Sequence, residues 1–270
     1  MPDLIAGFLE KTDKNTLEAL VIGMWGDPYE AGADEVMAAL IAHAPQLPNL
    51  RALFIGDMTY EECEISWIVQ GSYKPLLDAF PLLQELRIRG GNELVIEPFA
   101  HQHLRRFTIE AGGLDQKIAE ALAQSSMPQL EHLELWLGTD DYGFSGDVDL
   151  YRKVLAQLTV PTLKYLGLRD AEIADDLAVW LAEEPLVAQL DILDLSLGTS
   201  MAASTKNFAG ARTVVQKDDI ENSGATSLSD VMRRKGWAMA RGRWHSMAAR
   251  RATMDAAWKT ITRRPAICSV

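Results

Sequence analysis

The chain has 270 residues, with 38 acidic and 26 basic side chains, a net charge of −12 and 48% hydrophobic residues. That supplies a real core and one to two domains, and it excludes a disordered chain, which needs low hydrophobicity and dense charge. Two cysteines, Cys63 and Cys268, exclude a disulfide scaffold, and no run approaches the ~18 apolar residues of a membrane-spanning helix.

The first predicted strand opens a pattern, Leu-x-x-Leu-x-Ile, at Leu17-Leu20-Ile22. It returns at Leu50-Leu53-Ile55, Leu83-Leu86-Ile88, Leu104-Phe107-Ile109, Leu130-Leu133-Leu135, Leu163-Leu166-Leu168 and Leu190-Leu193-Leu195. Successive copies start 33, 33, 21, 26, 33 and 27 residues apart. In each copy the fourth and sixth positions alternate inward with the period of a strand. Helical spacing of apolar residues follows at 30–44, 116–124, 150–158 and 175–186. Pro48, Pro81, Pro128 and Pro161, with Gly23, Gly56, Gly90, Gly138 and Gly198, punctuate the boundaries. One strand with one helix cannot bury its apolar face alone, but stacked units share a continuous core.

These motifs, in pieces such as Leu50-Arg51-Ala52-Leu53-Phe54-Ile55 and Leu130-Glu131-His132-Leu133-Glu134-Leu135, resemble a bacterial leucine-rich repeat protein over residues 15–198. The longer, helix-bearing units are closer to the ribonuclease-inhibitor-like class than to short effector repeats. The resemblance implies an α/β solenoid of about seven repeats, with a parallel sheet on the concave face and helices on the convex face. The chain departs from the family where an Asn or Cys usually bonds the turn backbone. Trp25, Met58, Gly91, Gly112, Gly138, Ala171 and Gly198 stand there, so the turns must be satisfied otherwise.

Odd motif positions point out of the sheet. The middle repeats place Arg87, Arg89, Arg106, Glu110, His132, Glu134, Trp136, Tyr165 and Arg169 on that face. Trp, Tyr and Arg most often anchor interfaces, so this cluster is the expected recognition surface for a protein or peptide. The bland alternative is a solvated face whose charges pair across strands.

No motif of nucleotide binding, hydrolysis or zinc proteolysis occurs, and no nucleophile–base pair is evident, so a non-enzymatic scaffold without cofactor or metal is expected. His101-Gln102-His103 offers two imidazoles but no third ligand, and reads as a polar loop. The acidic, Gly-rich residues 139–149 lack the spacing of a calcium loop and read as a solvated connection that ends on Asp149 as a helix N-cap. Cys63 reads as a small buried residue rather than a nucleophile. Trp25, Trp67, Trp136 and Trp180 are expected in the repeat core or on its face.

After Gly198 the pattern stops. Residues 1–198 carry 13 basic and 33 acidic side chains, a net of −20, whereas residues 199–270 carry 13 and 5, a net of +8. Residues 1–198 and 199–270 are therefore expected to be separate regions, the second a flexible linker followed by a basic segment, helical or disordered. Residues 211–234 resemble the start of the plug domain of TonB-dependent receptors, with a strand expected at 213–215, but the Pro-Gly-Val continuation is missing. Residues 231–270 hold ten bases and one acid, with Trp237, Trp244, Trp258 and Met247, Met254, Ile261 at heptad-like steps. Such a helix suits an anionic membrane or nucleic acid, which is the alternative function, a targeting tail. It suits equally a docked or disordered end, or a fused or out-of-frame one. Met1-Pro2-Asp3-Leu4 lacks a secretion-signal layout, so a cytoplasmic location is expected.

Overall fold

The computed structural model describes residues 2–158 and 160–198, together with the backbone of three short strands at 214–216, 238–240 and 243–245. Seven parallel strands form one sheet in chain order: β1 (Ala19–Ile22), β2 (Ala52–Ile55), β3 (Glu85–Arg89), β4 (Arg106–Glu110), β5 (His132–Gly138), β6 (Tyr165–Ala171) and β7 (Ile192–Asp194). Their register aligns equivalent motif positions, Leu20 with Leu53, Leu53 with Leu86, Leu133 with Leu166 and Leu166 with Leu193. Strand order equals chain order, so each unit packs against its sequence neighbours, which is a repeat-like, solenoid-like α/β arrangement.

Among the described residues six helices cover one face: α1 (Pro2–Lys11), α2 (Asp34–His43), α3 (Lys74–Ala79), α4 (Gln116–Ala123), α5 (Val148–Gln157) and α6 (Ala174–Leu181). The fourth and sixth motif positions of every strand share one buried cluster with Val36, Leu40, Leu76, Leu77, Ile118, Leu122, Val154, Leu155, Leu177 and Leu181 of these helices. Ala19, Ala52, Phe54 and Tyr165, at odd positions, lie outside that cluster although they are buried. Alternation along each strand thus separates a helix-backed core face from an outer face. The single Phe in the motif, Phe107, is fully buried and meets Phe99 edge-on at 6.1 Å.

Four helices fall where the periodicity predicts them, within a few residues at their ends. The other two were not predicted. α3 has only six residues, with Pro75 in its first turn, too short for a periodic signal, and α1 precedes the first motif and buries Ile5 and Leu9. The N-cap of α5 is Asp147, whose carboxylate accepts the Leu150 N–H at 2.8 Å. Asp149, the expected cap, lies inside the first turn and pairs with Arg152 instead.

The turns after the strands close without an Asn or Cys ladder. The Trp25 indole donates to Ala31 O at 2.8 Å, the Gln70 amide to Arg89 O at 2.7 Å, and Thr139 N to Gly112 O at 2.9 Å. Gly138 turns with φ +70°, and a side chain there would run into the Gly112 carbonyl. Scattered side-chain donors and close backbone approach at glycine together replace the regular ladder.

β8 (Val214–Gln216) pairs antiparallel with β7, Leu193 opposite Val215. It lies one residue beyond the strand expected at 213–215; the rest of the plug-like stretch lies outside the described residues. β9 (Ala238–Ala240) and β10 (Arg243–His245) pair antiparallel, so a continuous basic helix does not run through 238–245. The remaining heptad-like positions lie outside the described residues. Among the described residues no helix is long and apolar enough to cross a membrane.

Candidate functional site

All nine residues expected on the recognition surface lie on strands β3 to β6, at odd positions of the outer face. Eight of them fall into two hydrogen-bonded knots, each built on a buried carboxylate.

The first knot spans β2 to β4. Glu110, 1% exposed, takes the Arg87 Nε–H on Oε1 at 2.6 Å and the Arg89 Nε–H on Oε2 at 2.7 Å. Arg89 also donates to Met58 O at 3.0 Å. Both guanidiniums lie over the Phe54 ring, at 4.5 and 5.5 Å from its centre, so each cation combines a carboxylate with a π face. Phe54 is only 2% exposed under this lid.

The second knot spans β5 to β7. Glu134 accepts from Arg169 Nη1 at 2.6 Å and from Trp136 Nε1 at 2.7 Å on Oε1, and its Oε2 lies 3.4 Å from His132 Nε2. Burial alone would raise its carboxyl. The His132 hydrogen bond, the Arg169 charge and the Trp136 N–H outweigh burial and hold it at about 2. Burial likewise works against the Arg169 charge, but Glu134 and Asp194 more than offset it and raise its pKa. Burial lowers the His132 pKa in spite of Glu134. The His132 and Tyr165 rings stack 3.9 Å apart at 9°, and Arg169 lies 4.7 Å over Trp136. Tyr165 OH donates to Asp194 at 3.0 Å, and Arg169 Nε to Ser196 Oγ at 3.1 Å. Burial and the charges of Glu134 and Asp194 push the Tyr165 hydroxyl far up, so it stays a donor.

Arg106 stands between the knots, half-buried and opposite Glu85 in register; its backbone N–H donates to Gln84 O at 2.9 Å, and its guanidinium makes no hydrogen bond to another described residue. Phe54, Asp194 and Ser196 complete the knots but were not singled out from the sequence. Each occupies an odd motif position beside a residue that was: Phe54 lies in register with Arg87, Asp194 accepts from Tyr165 and Ser196 from Arg169. An acid or ring facing an arginine on a neighbouring strand was the available signal.

The other sequence candidates are dispersed. His101 Nε2 meets Phe80 O at 3.1 Å and His103 Nδ1 meets Pro81 O at 3.0 Å. Cys63 is buried; burial raises its thiol against a hydrogen bond from Tyr29. Trp25 and Trp180 are buried, but Trp67, expected in the core or on the sheet face, lies in a loop and is half exposed.

No family model and no curated protein matches the chain. Its structure is similar to the crystal structure of a Bacteroides fragilis protein, a structural-genomics target, at 34% identity and a TM-score of 0.65. The match covers 70% of this chain and 53% of that one, so the chain spans about half the length of that protein.

Proposed function

We propose that this chain is a leucine-rich-repeat scaffold of the ribonuclease-inhibitor-like class, cytoplasmic and without catalytic activity, whose outer sheet face is concave and captures a protein or peptide. The observation that carries this reading is the pair of knots. Two buried carboxylates hold five guanidinium or ring groups in place before any partner arrives. Anchors of that kind lose little side-chain entropy on binding. Trp136 and Arg106 are half-buried rather than fully covered, and the Arg106 guanidinium has no hydrogen bond to another described residue to break.

Selection of peptides from a display library on the immobilised protein supplies ligands for the test. Trp136→Ala and Arg106→Glu each weaken the selected peptides by tenfold or more, the loss of an anchor worth about 1.4 kcal/mol or more. Peptides that bind both variants as well as the parent, with unchanged melting curves, defeat the assignment. In the same reading residues 1–198 are the binding unit and residues 199–270 a separate basic region. Limited proteolysis then leaves residues 1–198 intact, with cleavage beyond β8 (Val214–Gln216) preceding any cleavage within the repeats. The charge swing from −20 to +8 supports the second reading, a targeting tail. It requires salt-sensitive binding to nucleic acid or anionic vesicles that vanishes when residues 231–270 are removed.

A further inference from the structure

The loops that leave the C-terminal ends of β1, β2 and β5 carry large side chains that the fold does not bury. Tyr29 is 51% exposed, Tyr60 74%, Trp67 50% and Tyr142 49%. Exposed aromatic residues at several neighbouring sites of one edge are unusual for a surface with no partner.

These loops are held in place. Val69 N donates to Pro28 O at 2.9 Å, Gln70 N to Asn92 O at 2.8 Å and Asp140 N to the Glu172 carboxylate at 3.0 Å. A side chain added at Gly112 would collide with Ser66, and one at Gly113 with the Tyr142 carbonyl. The β2 loop therefore packs on the β4 loop, and the β4 loop on the β5 loop. With strands ~4.8 Å apart, the rings line a rim of ~20 Å from β1 to β5.

The charge of the rim is one-sided. Residues 23–33 contain two carboxylates, 56–73 four and 139–147 three, with no Lys, Arg or His in any of the three. Elsewhere in the molecule a ring beside a carboxylate is joined by a guanidinium: Arg87 over Phe54 beside Glu110, and Arg169 over Trp136 beside Glu134. The rim loops carry the same kinds of ring and carboxylate and no cation within their own segments; Arg89 reaches in from β3 and lies 3.8 Å from Asp57 alone of the loop carboxylates.

From this we infer that the rim formed by the β1, β2 and β5 loops is a second interaction surface, distinct from the outer sheet face, which binds an extended arginine-rich peptide segment of another protein. Its guanidiniums stack on Trp67 and Tyr60 while the loop carboxylates neutralise them. Guanidiniums stack on rings better than ammonium groups do, so arginine is preferred to lysine.

Fluorescein-labelled nona-arginine and nona-lysine, titrated into the full-length protein and read by anisotropy, test the proposal. Nona-arginine binds more tightly than nona-lysine. The double variant Trp67→Ala, Tyr60→Ala weakens nona-arginine about five- to tenfold, as expected for two exposed cation–π contacts. Glu61→Lys on the rim weakens it more than Glu10→Lys on α1, a change of equal charge far from these loops. Both sites are exposed, so the variants fold. Equal affinity for the two peptides, equal losses at Glu61 and Glu10, or no binding to the full-length chain each overturns the proposal. Equal losses show attraction to the net charge alone.

Discussion

Arg169 lies almost wholly inside the protein, and its charge is tolerable only because Glu134 and Asp194 flank it. Removing one partner of such a pair leaves an uncompensated buried charge, which typically costs about 3–5 kcal/mol. Glu134→Gln keeps the shape and removes the charge, so urea denaturation at pH 7 should show a loss of that order. The Glu134 carboxyl titrates at about 2 in the folded chain, below the ~4.3 of an unfolded glutamate. Its contribution, roughly 3 kcal/mol, is therefore present above pH ~4.3 and lost as pH falls towards 2. Through that window the parent should lose roughly 3 kcal/mol more than Glu134→Gln does. Asp170 behaves oppositely. Burial raises its carboxyl to about 6 against the pull of Arg169, in a residue held at φ +52°. Its ionisation is penalised in the fold, so it favours stability below pH ~4 and costs stability as pH rises through 6. Asn tolerates the same backbone. Asp170→Asn should raise the melting temperature by roughly 2–4 °C at pH 7.5 and by nothing at pH 4. Equal shifts at both values would rule out ionisation as the cause.

At the scale of the element, the strands were legible because seven motif copies repeat one period-two instruction, and all seven formed. The outer face was legible for the same reason, since parity alone decides which residues leave the core. Which of those residues pair was not legible, because it depends on register between strands 20 to 35 residues apart. Arg87 and Arg89 reach forward to Glu110 on β4, whereas Arg169 reaches back to Glu134 on β5 and forward to Asp194 on β7. The turns were misleading for a different reason. The missing Asn ladder looked like a deficit, yet the Trp25 and Gln70 side chains fill its place in some turns and backbone groups fill it where glycine lets chains approach. Gly138, at φ +70° against the Gly112 carbonyl, is the sharpest case. Gly138→Ala combines backbone strain with a collision that backbone atoms cannot relieve, and should cost roughly 2–5 kcal/mol. Gly143, also at positive φ but with open space around it, bears the strain alone, so Gly143→Ala should cost no more than about 1–3 kcal/mol. Chemical denaturation of the two variants separates collision from strain.

At the scale of the molecule, a stack in which each unit touches only its neighbours has two ends, and each end must be covered. At the first, α1 buries Ile5 and Leu9. At the other, the last parallel strand would present unpaired N–H and C=O groups, a template for a second chain. β8, from beyond the last motif, occupies that edge in antiparallel sense. The region after residue 198 therefore has a structural task that its composition did not disclose, since three residues of pairing leave no periodic signature. Because coupling passes from neighbour to neighbour, loss of this cover should weaken the end of the stack and leave its middle intact. Ending the chain at Gly198 should accelerate hydrogen exchange of the β7 amides Ile192 to Asp194 while those of β3 to β5 keep their protection. The same truncated chain should show a mass in sedimentation that rises with concentration, as bare edges pair, under conditions where the full-length chain shows none. Unchanged β7 protection would mean that the edge is stable without β8, and faster exchange across all seven strands would mean that the molecule unfolds as one unit rather than as a stack.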